Sequence, residues 1–306
     1  MQPPHTTTTR RTPRSTFLTK LGIGLSTAAT IGSLGAAAPA TAAVDGGYHH
    51  ARANSAFQSH PSYAGAYVDC PAGQRPISTG VLAHDPMAIL RSNAVTKEGT
   101  GSHATAWGSG GQSFEVSAEC VPNAKLSGST PTSRTVRDRR DRWGYFRETV
   151  ACPSGSVAYG GGGTVTDSAG NHDQQGLNVY GSIPGIGEWT YAAAGGLGRR
   201  VLTVDARCLP RTQLGRVVHV DSTVTGPPNS TSREPVVASA RCPANTFAFA
   251  GGAWFHTSST FAPSWHGYLR ASAMDADGRG WFAAGTTFGF NSQLTTRVLC
   301  TDRLGR

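Results

Sequence analysis

The chain has 306 residues, 38% of them hydrophobic and only 15% charged, with 39 Gly, 18 Pro and a formal charge of +9 from 27 basic and 18 acidic side chains. That length holds one large domain or two to three small ones. The sparse charge and the wealth of Gly, Ser, Thr and Ala argue for an exported, β-rich protein and against a cytosolic helical one.

Residues 1–43 read as a secretory signal peptide. Arg10, Arg11, Arg14 and Lys20 form a positive start without an acidic residue, Leu21 to Leu34 is a mild apolar stretch, and Ala40-Thr41-Ala42 is a small-residue cleavage signal. The pair Arg10-Arg11 has the wrong spacing to Phe17-Leu18 for a twin-arginine signal, so the general secretory route is preferred. No later stretch approaches the roughly 18 apolar residues of a membrane helix. Removing the signal leaves 23 basic against 18 acidic residues, or +5. A mildly basic surface suits an anionic wall polymer or an acidic protein and does not require nucleic acid.

Residues 44–66, "VDGGYHHARANSAFQSHPSYAGA", match no later part of the chain. They are predicted to form a flexible N-terminal arm that orders on a partner or adds a strand to it, with Tyr48 and Arg52 as anchors.

From residue 67 the chain repeats itself. Cys70-Pro71, Cys152-Pro153 and Cys242-Pro243 open three copies. Gly161 and Gly162 stand nine and ten residues after Cys152, Gly251 and Gly252 at the same offsets from Cys242, and Thr79 and Gly80 after Cys70. Trp107 follows its cysteine by 37 residues, Trp189 by 37 and Trp281 by 39; Cys120, Cys208 and Cys300 close the copies. Four features in one order, three times, define an internal repeat. The units are 67–121, 149–209 and 237–306. The turn-rich segments 122–148 and 210–236, containing "SGSTPTSR" and "TGPPNSTSRE", read as connectors.

Each unit reads as strands. "SFEVSAEC", "VLTVDARCL" and "QLTTRVLC" alternate apolar and polar residues up to the closing cysteine. "VAYGGGGTV" and "FAFAGGAWF" are strands interrupted by glycine, which predicts a bulge or the close approach of another backbone. A phosphate-binding loop is excluded, because no Gly-Lys-Ser/Thr follows. Six cysteines in an exported chain imply disulfides. Six allow 15 pairings, of which repetition selects Cys70–Cys120, Cys152–Cys208 and Cys242–Cys300. No Cys-x-x-Cys spacing supports zinc.

The pattern Cys-Pro-x-Gly, glycine cluster, Trp, strand ending in Cys resembles a repeat of exported proteins from streptomycete-type bacteria, most of them without a known activity. The first copy departs from it, with "GQRPISTGV" at the glycine cluster. The resemblance implies export and an all-β architecture. Three similar units also resemble β-prism and trefoil-like folds, many of which bind sugars. The expectation is three disulfide-stapled β-sheet repeats, either prism-like or in tandem. The layout also resembles, weakly, adaptor subunits of umbrella toxin particles, and no residue is carried over from them.

Trp107, Trp189 and Trp281, fixed in the repeat, are assigned to the core beside the disulfides. Trp143, Trp254 and Trp265 fall outside that register and are the surface candidates for sugar or protein contact. "TVRDRRDRW" holds Arg137, Arg139, Arg140 and Arg142 between Asp138 and Asp141; it reads as a solvated connector or a docking patch for an acidic partner. The pairs His84-Asp85 and His172-Asp173 and the isolated His256 and His266 lack a nucleophile motif, so no catalytic residue, metal or cofactor is assigned. The sequence therefore points to a secreted, non-catalytic adaptor or adhesion module that binds protein partners in an extracellular assembly. The alternatives are a lectin-like glycan or cell-wall binding module and an unrecognised hydrolase.

Overall fold

A computed structural model describes residues 49–57, 62–85, 87–96, 98–110, 112–137, 145–169, 178–194, 199–227, 234–257, 267–287 and 292–305. Residues 1–43, expected to be a signal peptide, and Tyr48 lie outside them. The described chain is all β. The first six strands are β1 (His49–Ala56), β2 (Ser62–Asp69), β3 (Gln74–Ala83), β4 (Ile89–Val95), β5 (Gly101–Gly108) and β6 (Ser113–Pro122). The second six are β7 (Thr130–Arg137), β8 (Tyr145–Ala151), β9 (Ser156–Asp167), β10 (Asn178–Pro184), β11 (Glu188–Ala194) and β12 (Arg200–Pro210). The last six are β13 (Val217–Thr225), β14 (Glu234–Arg241), β15 (Phe247–Thr257), β16 (Gly267–Met274), β17 (Gly280–Thr287) and β18 (Ser292–Thr301). Short 3-10 turns at Asn123–Leu126 and Arg211–Gln213 lead from one group of six to the next.

The repeat therefore starts two strands earlier than its cysteine pattern suggests. The predicted arm contributes β1 and most of β2, and β1 pairs with β6 from His49↔Cys120 to Ala56↔Ser113. The predicted connectors contribute the equivalent strands β7 and β13 and the first residues of β8 and β14. These are edge strands, and an edge strand that faces water on one side needs few large apolar residues.

Three six-stranded sheets result, in the orders β1-β6-β3-β16-β17-β14, β2-β5-β4-β9-β12-β7 and β13-β18-β15-β10-β11-β8. Each repeat gives three strands to one sheet and three to another. The seams are β3–β16, β4–β9 and β15–β10, and each joins the third strand of one repeat to the fourth strand of another. The strands β4, β10 and β16 touch one another around a pseudo-threefold axis. The fold is thus prism-like, and each repeat wraps a corner of the prism.

The glycine clusters explain the seams. β9 carries a bulge opposite Ala206, and β3 and β15 carry theirs nearer the closing cysteines, between the partners of Cys120 and Glu119 and of Cys300 and Leu299. A Cβ on Gly162 would stand 1.8 Å from the Asn93 carbonyl oxygen, and one on Gly252 would stand 2.0 Å from that of Ser182. Here the backbone of the next repeat comes so close that no side chain fits. Gly161 and Gly251 have another role. A Cβ there would meet the indoles of Trp189 and Trp281. These are buried, at 3% and 1% exposure, and their Nε1–H groups donate to Ser182 Oγ at 3.1 Å and Ser272 Oγ at 2.9 Å.

Repeat 1 solves the same packing problem differently. Trp107 is not the counterpart of Trp189 and Trp281. It stands near the far end of β5, opposite Tyr63 and Ile89, only half-buried. Register places Ser102, opposite Val68 and Val95, where the other repeats have Trp. Thr79 replaces the glycine, and its hydroxyl bonds Ser102 Oγ at 2.9 Å. A glycine–tryptophan pair has become a threonine–serine pair.

All three disulfides form as repetition selected them: Cys70–Cys120, Cys152–Cys208 and Cys242–Cys300, spanning 50, 56 and 58 residues. Such bridges fit an extracellular or otherwise oxidising environment. Among the described residues no helix is long and apolar enough to cross a membrane.

Candidate functional site

Strand alternation gives each sheet an inner face in the core and an outer face in water. On β12 the inner residues are Leu202, Val204 and Ala206; Thr203, Asp205 and Arg207 alternate with them and face out. Register then assembles the outer face of β2-β5-β4-β9-β12-β7. Tyr67 lies opposite His103 across β2 and β5, Thr164 opposite Thr203 across β9 and β12, and Ser133 opposite Asp205 across β7 and β12.

A groove of about 690 Å³ runs over the seam of this face, between repeat 1 and repeat 2. One wall holds Tyr67 and His103, stacked with ring centroids 5.6 Å apart and planes 25° from parallel. Tyr67 is 66% exposed, more than the other large apolar side chains of the described residues. The opposite wall is polar, formed by Thr132, Ser133, Thr203, Asp205 and Arg207. Thr203 and Thr135 are tied together by their hydroxyls at 3.1 Å. Gly160, in a left-handed conformation with φ of 55°, lines the groove without a side chain to fill it.

The end of the groove is the β4–β5 turn. Thr96 organises this turn: its Oγ1 accepts from the amides of Thr100 and Gly101, and its carbonyl accepts from Gly99 N at 2.8 Å. Arg207 reaches across the seam and donates from Nη2 to the same carbonyl at 3.1 Å. Its guanidinium lies where a Cβ on Gly99 would be, and Gly99 has a φ of 72° that other residues rarely adopt. The clamped turn carries Glu98 at the groove.

The three faces of the prism are not alike here. At the level of Tyr67 and His103 the second repeat has Thr149 and Thr190, bonded to each other at 2.8 Å, and the third has Ser239 and Phe282. The outer pair that is Ser133 and Asp205 in the grooved sheet is Arg52 and Ser117 in one of the others and Asp221 and Arg297 in the third. Asp221 and Arg297 neutralise each other through two bonds of 2.7 Å.

The residues singled out from sequence are dispersed. Arg52 is no free anchor: it sits on β1 and pairs with Glu115 at 3.4 Å, and neighbouring His50 pairs with Glu119. Trp254 is not on the surface. It is 3% exposed, packed on Gly181 of repeat 2, with the Arg147 guanidinium 5.1 Å from its ring centroid. Arg137 is exposed at the end of β7. Arg139, Arg140, Arg142, Trp143 and Trp265 lie outside the described residues. Asp85 does not orient His84; its oxygens accept the amides of Met87 at 2.7 Å and Ser109 at 2.5 Å. His256 is buried and bonded through Nε2 to Thr295 Oγ1 at 2.7 Å. Among the described residues no group of three or more His, Cys, Asp or Glu is placed to hold a metal ion.

The groove escaped sequence reading because its walls come from strands of two repeats. Its one local signal was the alternation of "VLTVDARCL", which puts Thr203, Asp205 and Arg207 on one side. No protein-family model matches the chain, and a search of curated proteins finds no match.

Proposed function

We propose that the chain is an exported, non-catalytic carbohydrate-binding protein of the lectin-like kind, with its site in the groove over β4 and β9. The observation that carries this reading is the exposed Tyr67 ring, stacked on His103, in one groove with hydroxyl, carboxylate and guanidinium groups. A pyranose has an apolar face and an equatorial ring of hydroxyls. An aromatic platform takes the first, and Ser, Thr, Asp and Arg take the second. The repeat supports export through its three disulfides, in keeping with the leader. Titration calorimetry against wall-type oligosaccharides tests the reading. Binding that vanishes in Tyr67→Ala, with unfolding unchanged, supports it; binding unaffected by Tyr67→Ala refutes it.

The adaptor reading draws on a different surface. Val237 is 59% exposed on the edge strand β14, next to the exposed Pro235 and opposite Ala284. An apolar edge of this kind suits a protein partner. Purification from culture medium tests it: a stoichiometric partner lost in Val237→Asp supports an adaptor, and a solitary protein counts against one.

A further inference from the structure

The groove's charge pattern narrows its ligand. We propose that the groove takes a 2-amino sugar with a free, protonated amine, held by Asp205 and Glu98 beside the Tyr67 ring. This rests on the reading of the groove as a sugar site.

The comparison of the three faces carries the argument. At one structural level the prism presents three pairs of outward residues. Asp221 and Arg297 cancel each other. Arg52, opposite Ser117, turns to Glu115. Asp205, opposite Ser133, is a carboxylate whose cross-strand neighbour is neutral, and among the described residues it makes no ion pair. Glu98 is the second such carboxylate, held at the groove by a turn that Arg207 clamps. The Arg207 guanidinium is fixed against that turn, at Thr96 and Gly99, so the described residues that line the opening include two carboxylates and one guanidinium. The Tyr67 ring lines the same groove, and its quadrupole attracts cations. Without residues 1–43 the chain still carries +5, so bulk electrostatics repel a cationic ligand, and any preference for one must come from a local site.

Calorimetry in a mildly acidic buffer, which keeps the ligand amine protonated, compares a β-1,4-linked glucosamine tetramer with its fully N-acetylated form. The two differ in charge and acetyl groups and share a backbone. The amine form should bind about tenfold more tightly, as two partly exposed ion pairs provide. In Asp205→Asn and Glu98→Gln the ratio of the two affinities should shrink to about threefold or less, whatever each substitution does to the affinity for the acetylated form. Equal affinity for the two forms, or tighter binding of the acetylated one, overturns the amine inference and leaves the sugar site standing. A preference that survives both substitutions overturns the assignment to these carboxylates. Failure of both forms to bind overturns the inference together with the sugar reading.

Discussion

Exchange of the glycine–tryptophan pair of repeat 2 for the threonine–serine pair of repeat 1 is the sharpest test of the repeat geometry. Trp189→Ser alone empties a site 97% enclosed by protein, since the indole is 3% exposed, and should cost about 4 kcal/mol, as Trp truncations in cores do. Gly161→Thr alone forces a Cβ to 2.1 Å from Trp189 Cδ2. The indole is boxed in and bonded to Ser182, so overpacking should cost about 3 kcal/mol. Independent effects would sum to about 7 kcal/mol. In the double variant the indole that the threonine clashes with is gone, and the threonine fills part of the void. The double variant should then lose about 4 kcal/mol or less, no more than Trp189→Ser alone, with a coupling of about 3 kcal/mol. Urea unfolding of the four proteins measures the cycle, with a constant m-value as the check on two-state behaviour. Additive losses would refute the equivalence of Gly161–Trp189 with Thr79–Ser102.

Three further outcomes are expected. Replacing Cys152 and Cys208 together by Ala opens a loop of 56 residues and should cost about 4 kcal/mol in the chain-entropy model; non-reducing peptide mapping of the wild type should show only links within repeats. Gly162→Ala should destabilise by about 3 kcal/mol without disturbing the disulfides, because the Cβ meets the carbonyl of Asn93 rather than a movable side chain. Burial raises the Tyr180 pKa to about 12, outweighing the opposing effects of Asn178 and Arg91. The unfolded chain loses that proton near pH 10 and the folded one keeps it, so stability is full below pH ~10 and falls by roughly 3 kcal/mol by pH ~12. Tyr180→Phe should make the alkaline limb of a pH–stability curve shallower, leaving the part due to Tyr159 and Tyr191, whose pKa values burial also raises.

The cysteine pairing and the all-β class were legible because both rest on local or periodic signals. The cysteine spacing repeats, and the closing strands alternate visibly. The starts of the repeats were not. β1 reads "HHARANSA" and β7 reads "TPTSRTVR", with Val136 the only buried residue of β7. Such strands owe their existence to the neighbour they pair with, so their own composition resembles a loop. Trp254 was misplaced for a related reason. The pocket that buries it is a glycine, Gly181, in a different repeat and 73 positions earlier in the chain. Trp107 kept the right offset from its cysteine, yet Ser102 holds the tryptophan site. An offset in sequence cannot report which face of a strand a residue occupies or on which of two sheets its partner lies.

The seams at β3–β16, β4–β9 and β15–β10 close a ring. In an open array of repeats, units can be added or lost at the ends, and end units need special polar caps. A ring has no end units. Loss of one repeat here would not yield a shorter protein of the same kind. It would strip three strands from each of two sheets and bare two new edges, with a row of unpaired amides and carbonyls on each. The number three is therefore fixed by closure, and the three copies were free to diverge in their outward side chains. That freedom is how one face could acquire a groove while its sister faces cancelled their charges.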